Sequence, residues 1–219
     1  MDVNKFFDEL GERKTLTEFE VKNILKEYEI PTTSCEVIKH KDELNGLEVR
    51  YPAVMKISSP EITHKTDVGG VKLNLHNDDE LRLAFQDLRE KFPDQEVLIE
   101  PMEEKGIEII VGLINDPTFG LSIMFGLGGI FTEVLKDVTF RVLPIERTEA
   151  ELMLTELKGK KLLNGFRGIK ISKEAIIDII IKTAKLGEDH QDRIDQMDLN
   201  PVFIRENDAI VVDAKMVVK

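Results

Sequence analysis

The sequence predicts an α+β fold, on three observations. Helix-like and strand-like patterns are mixed without the regular alternation of a doubly wound parallel sheet. Strand-like runs crowd together between residues 96 and 143, and helix-like runs follow them. The chain has 219 residues with 42% hydrophobic content, enough to bury a core in one domain or two small ones. A change of texture near residue 93 divides it into subdomains 15–95 and 96–219, joined by the strand at 96–102, after an N-terminal extension, 1–14.

Each element has a local justification. Thr17 and Glu20 form a capping-box pattern, and Val21, Ile24, Leu25 and Tyr28 follow at helical spacing until Pro31 stops the run. This predicts an amphipathic helix over about 17–29. A short strand is expected at 35–38, and a buried strand at 53–58 that only Lys56 interrupts. Leu81, Ala84, Phe85 and Leu88 mark a second helix, which Pro93 closes. Strands are then expected at 96–102, 107–114, 121–125, 130–135 and 138–143. Helices near 148–157 and 173–186 follow, and strands near 196–204 and 209–217 end the chain.

Composition removes several function classes. With 30 Lys+Arg against 42 Asp+Glu the formal charge is −12, the wrong sign for a protein that neutralises nucleic-acid phosphates. No Trp and two Tyr leave little aromatic surface for stacking bases. The longest apolar runs, 109–114 and 176–181, are far short of the roughly twenty residues of a membrane span. An acidic amino terminus without an apolar stretch gives no secretory signal, and the one cysteine, Cys35, fits a reducing compartment, so a cytoplasmic location is expected.

Four local features look chemical. Lys56 stands alone among Val54, Met55 and Ile57. It either meets an anion or lies on an edge strand with its ammonium in water. The loop from Ser58 to Gly70 gathers His64, Lys65, hydroxyls and the pair Gly69-Gly70 between two strands, a composition able to surround a phosphate or to make a plain surface turn. Glu108 is the only charge in Gly106-Ile-Glu-Ile-Ile-Val-Gly-Leu-Ile114, where strand alternation leaves neither face polar. A carboxylate there wants a cation, a metal or a hydrogen-bond donor, unless it sits at an open strand end. Asp198 and Asn200 share one strand face, with Asp213 expected in the next strand. Such oxygen ligands suit magnesium, and they suit an ordinary polar hairpin equally. Gly126, Gly128 and Gly129 suggest a tight loop, and His40, His76 and His190 show no partner pattern.

Taken in order, these features resemble one family. The matching stretches are Leu16-Thr-Glu with Tyr28-Glu-Ile-Pro31, Val54-Met-Lys-Ile-Ser58, His64-Lys-Thr-Asp-Val-Gly-Gly-Val71 and Gly106-Ile-Glu-Ile. They continue with Phe125-Gly-Leu-Gly-Gly-Ile-Phe-Thr-Glu-Val134, Leu162-Leu-Asn-Gly-Phe-Arg-Gly168, Asp198-Leu-Asn-Pro201 and Val212-Asp-Ala214. From about residue 14 onward the chain resembles the ATP-grasp beta subunit of the ADP-forming acyl-CoA synthetases, the archaeal-type acetate CoA ligases related to the succinyl-CoA synthetase beta chain. Two departures stand out: Gln196 replaces a frequent acidic residue, and Gly168-Ile-Lys-Ile-Ser172 lacks a Pro-rich continuation.

The resemblance implies an ATP-grasp fold of two α+β subdomains gripping ATP or ADP with Mg2+. It implies that Lys56 contacts the phosphates with Gly69 and Gly70 in the phosphate loop, that Glu100 and Met102 lie on the strand holding the adenine, and that Glu108 belongs to the nucleotide site. Asn200 and Asp213 would bind magnesium with Asp198 alongside. His64 would carry phosphate transiently between a partner and the nucleotide. The partner implied is a CoA-binding alpha subunit with the first phosphohistidine, in an α2β2 heterotetramer whose substrates include a small-molecule acid and phosphate. The segment from Gly126 to Glu133 would receive the partner's phosphohistidine loop. Two other readings share part of the pattern: an ATP-grasp ligase joining a carboxylate to an amine, and a nucleotide-binding regulatory module of an acyltransferase.

Overall fold

The computed structural model describes residues 1–62, 65–129, 136–165 and 168–219. The chain forms two units: Met1–Leu16, Val21–Thr32 and Lys105–Lys219 make the larger, Thr17–Glu20 and Thr33–Glu104 the smaller. Helices and antiparallel sheets make up both, in agreement with the α+β expectation.

The smaller unit holds a four-stranded antiparallel sheet in the order β1-β4-β2-β3: β1 (Glu36–Ile38), β2 (Ala53–Ser58), β3 (Val71–Leu75) and β4 (Glu96–Pro101). β2 pairs on both sides, so every residue of it is buried. The helix expected around Leu81 to Leu88 is α3 (Asp78–Lys91), capped by Asn77, whose side chain accepts from the Glu80 N–H at 3.0 Å. Its Leu81, Ala84, Phe85 and Leu88 form one core with Ala53, Met55, Ile57, Val97 and Ile99. The alternate residues of β2 and β4, Val54, Lys56, Ser58, Leu98 and Glu100, therefore share the sheet face turned away from that core.

The larger unit repeats the plan with longer elements. Its six-stranded antiparallel sheet runs β10-β8-β5-β6-β7, with β9 also paired to β8. The strands are β5 (Ile107–Asp116), β6 (Gly120–Leu127), β7 (Val138–Val142), β8 (Ile194–Ile204), β9 (Ala209–Val211) and β10 (Ala214–Val218). Helices α4 (Arg147–Glu156) and α5 (Lys173–Asp189) share one core with the sheet. Ile176, Ile177, Ile179, Ile180 and Ala184 of α5 belong to the same core as Ile109, Val111, Leu113, Ile123, Phe125, Met197 and Leu199. Fully burying each of the isoleucine, leucine, valine, phenylalanine and methionine side chains contributes about 1.5–3 kcal/mol. The face away from this core carries Glu108, Ile110, Gly112, Met124, Asp198, Asn200 and Lys215.

Several details differ from the sequence reading. The helix at the start, α1 (Val3–Glu9), had no pattern long enough to announce it, although Val3 and Phe7 join the core. Within the expected 17–29 helix, α2 (Glu18–Glu27) starts behind the predicted capping box, with Glu20 accepting from the Thr17 N–H at 2.8 Å. The strand expected over 209–217 is two strands, and Asp213 falls in the break between them rather than inside a strand. The strand expected over 130–135 lies outside the described residues. Among the described residues no helix is long and apolar enough to cross a membrane.

Candidate functional site

In the smaller unit, β2 is an inner strand, which removes the reading of Lys56 as an edge lysine reaching water. Lys56 is 5% exposed. Its Nζ donates to Glu18 Oε1 at 2.8 Å and to Glu100 Oε1 at 2.5 Å. The other oxygens of those carboxylates are also engaged: Glu18 Oε2 accepts from Lys65 Nζ, and Glu100 Oε2 accepts from Thr33 Oγ1 at 2.6 Å. Two ammoniums and two carboxylates are thus buried together. Each ion offsets the desolvation of its neighbours, which a lone buried charge could not achieve. Ser58 Oγ, on the same strand face, is buried and has no hydrogen-bond partner among the described residues.

The segment after β2 folds back on that strand. Gly70 donates its N–H to the Lys65 carbonyl at 2.7 Å, and its own carbonyl accepts from Ile57 N–H at 2.9 Å. A Cβ on Gly70 would stand 2.7 Å from Ile57 Cδ1 and 3.0 Å from the Lys65 carbonyl oxygen, so a side chain here would require Ile57 to shift. Gly69 has φ +73°. Met102, just past the end of β4, donates its N–H to the Pro52 carbonyl at 2.8 Å. His64, the expected phosphate carrier, lies outside the described residues.

In the larger unit, Glu108 lies half-buried near the start of β5, opposite Phe203. The chain leaving β6 passes close over it. Gly128 donates its N–H to the Glu108 carbonyl at 2.7 Å, and a Cβ on Gly128 would meet Glu108 Cβ at 2.9 Å. A Cβ on Gly129 would come within 3.2 Å of Glu108 Oε2. The glycine run is therefore a close approach to this carboxylate. Of the segment from Gly126 to Glu133, residues 130–133 lie outside the described residues.

Asp198, Asn200 and Asp213 come together across β8 and the break before β10. Asp198 is opposite Lys215 on β10 and Gly112 on β5. Burial pushes the Asp198 carboxyl up to about 6, the neighbouring Asp213 carboxylate adds to the rise, and Lys215 and a hydrogen bond from Asn200 oppose it. Its Oδ1 is buried with no hydrogen-bond partner among the described residues. Asn200 N–H donates to the Asp213 carbonyl at 3.1 Å, which ties the two segments together. Among the described residues no three His, Cys, Asp or Glu side chains group to hold a metal, and the present set is two carboxylates and an amide. A surface cavity of about 580 Å³ beside Asn164, Lys173 and Glu206 is lined by none of the predicted site residues.

The sequence reading did not connect Glu18 or Thr33 with Lys56 and Glu100. Glu18 entered only as the end of the matching stretch Leu16-Thr-Glu; an acidic residue in a helix first turn is what the helix dipole favours anyway, so nothing tied it to Lys56.

Comparison with known proteins places these groups in context. An ATP-grasp domain model matches residues 9–218. The chain is 46% identical over 218 residues to the acetate–CoA ligase [ADP-forming] I subunit beta of Pyrococcus furiosus, covering 94% of this chain and 93% of that one. It is 45% identical over 205 residues to the acetate–CoA ligase [ADP-forming] II of Archaeoglobus fulgidus, covering 93% of this chain but 30% of that longer protein. Among solved structures it resembles the dinucleotide-forming acetyl-coenzyme A synthetase 1 of Ca. Korarchaeum cryptofilum. The complex with coenzyme A, Ca-AMPCP and HgCl+ matches with TM-score 0.92 at 40% identity, over 100% of this chain and 99% of that one. The complex with coenzyme A and Mg-AMPPCP, its phosphohistidine segment pointing towards the nucleotide binding site, matches with TM-score 0.86 at 40% identity over the same shares.

Proposed function

The chain belongs to the ATP-grasp domain family, and from that premise we propose that it is the nucleotide-binding beta subunit of an ADP-forming acyl-CoA synthetase, an acid–thiol ligase. The reaction is acyl-CoA + ADP + phosphate ⇌ acid + CoA + ATP. The observation that carries this reading is the 46% identity to a Pyrococcus furiosus beta subunit across 93% of its length. Agreeing with it is Lys56, a buried ammonium on an inner strand, the kind of group that meets a phosphate.

In this reading Lys56 neutralises nucleotide phosphates, Gly69 and Gly70 shape the phosphate loop, β4 with Glu100 and the following Met102 holds the adenine, and Glu108 belongs to the nucleotide site. Phosphoryl transfer is mostly positioning and charge neutralisation, which suits a fixed lysine. Magnesium fits the acidic group of the larger unit: Asp198 Oδ1 is a buried oxygen lacking a partner among the described residues, close to a second carboxylate. Asn200 and Asp213 would hold the ion with Asp198 alongside, and the ion would supply positive charge to the phosphate oxygens. His64 would carry phosphate between the partner's phosphohistidine and the nucleotide, a neutral imidazole being a competent nucleophile near neutral pH.

A CoA-binding alpha subunit would complete the enzyme as α2β2. The Archaeoglobus fulgidus relative, of which this chain matches 30%, supports a larger functional whole. The enzyme would work in the cytoplasm, where its single buried thiol, Cys35, stays reduced. The test is reconstitution with a candidate alpha subunit, assaying ATP formation from acetyl-CoA, ADP and phosphate, and acid-labile, base-stable label on histidine from γ-labelled ATP. Turnover that needs both subunits and is abolished by His64→Ala is expected. Absence of turnover and of label with every alpha subunit tried overturns the reading.

A further inference from the structure

Glu18 stands apart from the residues so far assigned to the nucleotide. It belongs neither to β2, which carries Lys56, nor to the segment carrying Lys65, yet each of its carboxylate oxygens accepts from one of those ammoniums. Its own position is fixed by the helix end it occupies. The preceding residue, Thr17, is locked to Glu20 through both its N–H, at 2.8 Å, and its Oγ, at 3.0 Å. Lys56 has a second carboxylate, Glu100, which Thr33 steadies. The backbone of Lys65 is held through the Gly70 N–H.

A second observation points to a ligand at this face. Ser58 is 3% exposed and its Oγ has no hydrogen-bond partner among the described residues, two positions along β2 from Lys56. Buried hydroxyls are paired in most folded proteins, because an unmade hydrogen bond is costly. An oxygen-rich anion would satisfy this hydroxyl and the two ammoniums together.

We propose that Glu18 is a positioning residue for the nucleotide phosphates: it holds Lys65 beside Lys56 so that both ammoniums meet the polyphosphate as a pair. The inference rests on the nucleotide-site reading of Lys56. Two ammoniums brought together repel one another, and one carboxylate shared between them removes that repulsion. Without it Lys56 keeps Glu100, and the shared carboxylate that draws Lys65 towards Lys56 is lost.

Glu18→Gln keeps the shape and removes the charge. The full chain is titrated with ADP in magnesium and, separately, with adenosine, which has no phosphates. The variant is expected to weaken ADP binding by about tenfold or more while adenosine binding stays within about twofold of the wild type. Lys65→Met is expected to show the same split, and Lys65→Arg, which keeps the ion pair, to retain ADP binding. Unchanged ADP affinity in Glu18→Gln overturns the proposal, and so does an equal loss for ADP and adenosine, which would make Glu18 a support of the fold alone. Should Glu18→Gln fail to fold, judged by circular dichroism, Lys65→Met decides by the same criterion. A wild-type chain that binds neither ligand overturns the nucleotide-site reading itself, so the wild-type titration separates the two failures.

Discussion

Lys56 was legible in the sequence because a single charge inside an apolar strand has few stable explanations, and its partners were not. Glu18 and Glu100 lie 38 residues before it and on a neighbouring strand, and only folding brings their oxygens to its ammonium. Lys56→Met would strip the shared cation from two buried carboxylates and is expected to cost about 3–5 kcal/mol in urea unfolding. The double variant with Glu18→Gln should recover part of that loss, because one of the orphaned charges goes with it. With an alpha subunit supplied, Lys56→Met should also lower turnover by about a hundredfold or more, as losing a phosphate-neutralising cation does. Glu108 and Gly128 illustrate the converse case. The sequence showed an odd carboxylate and a glycine run separately, and the fold makes them one feature. Gly128→Ala would place a methyl 2.9 Å from Glu108 Cβ. A stability loss of about 1–3 kcal/mol in urea unfolding and a raised KM for ADP are expected.

At the scale of elements, periodicity located the helices and strands well wherever one face is buried. α5 was expected near 173–186; its isoleucines pack against the larger sheet, and Ser172 caps it by accepting from the Ala175 N–H at 3.1 Å. Ile180 is fully buried in that core, so Ile180→Ala should cost about 2–5 kcal/mol, read as a lowered urea midpoint with an unchanged slope. What periodicity left open was neighbourhood. An apolar strand with one lysine reads the same at an edge as in the interior, and pairing with both β3 and β4 settles it for β2. The two-residue break that places Asp213 was also invisible, because apolar residues on both sides run on as one strand pattern. α1 was missed since seven residues span barely two turns, too few to establish a period.

At the scale of the whole molecule, each unit keeps its helices and core on one face of its sheet and gathers the functional candidates on the other. The larger unit also holds a buried imidazole, His190, whose partners had no pattern in the sequence. His190 is 5% exposed, its Nε2 is 2.9 Å from the Tyr28 hydroxyl, and Phe7 packs edge-on to its ring. Burial holds the His190 pKa below its ordinary value, with Asp189 opposing that shift and Arg193 adding to it. The unfolded chain therefore takes up this proton first, at a pKa near about 6.5, and stability falls as pH drops from there towards the lower folded value. Above that window the contribution is fully present. Melting temperatures measured at pH 8 and pH 5 should differ more for the wild type than for His190→Gln. Equal differences would show that His190 takes no part in the pH response. The sequence by itself determined the α+β class, the order of most elements, the acidic balance and the family, because these depend on local periodicity, composition and short ordered motifs. Tertiary structure alone decided that Lys56 is an inner-strand lysine shared by Glu18 and Glu100, that Gly128 lies against Glu108, and that Asp198 has a buried oxygen beside Asp213. Such pairings join residues far apart in the chain, and they exist only once sheet register has fixed which side chains share a face.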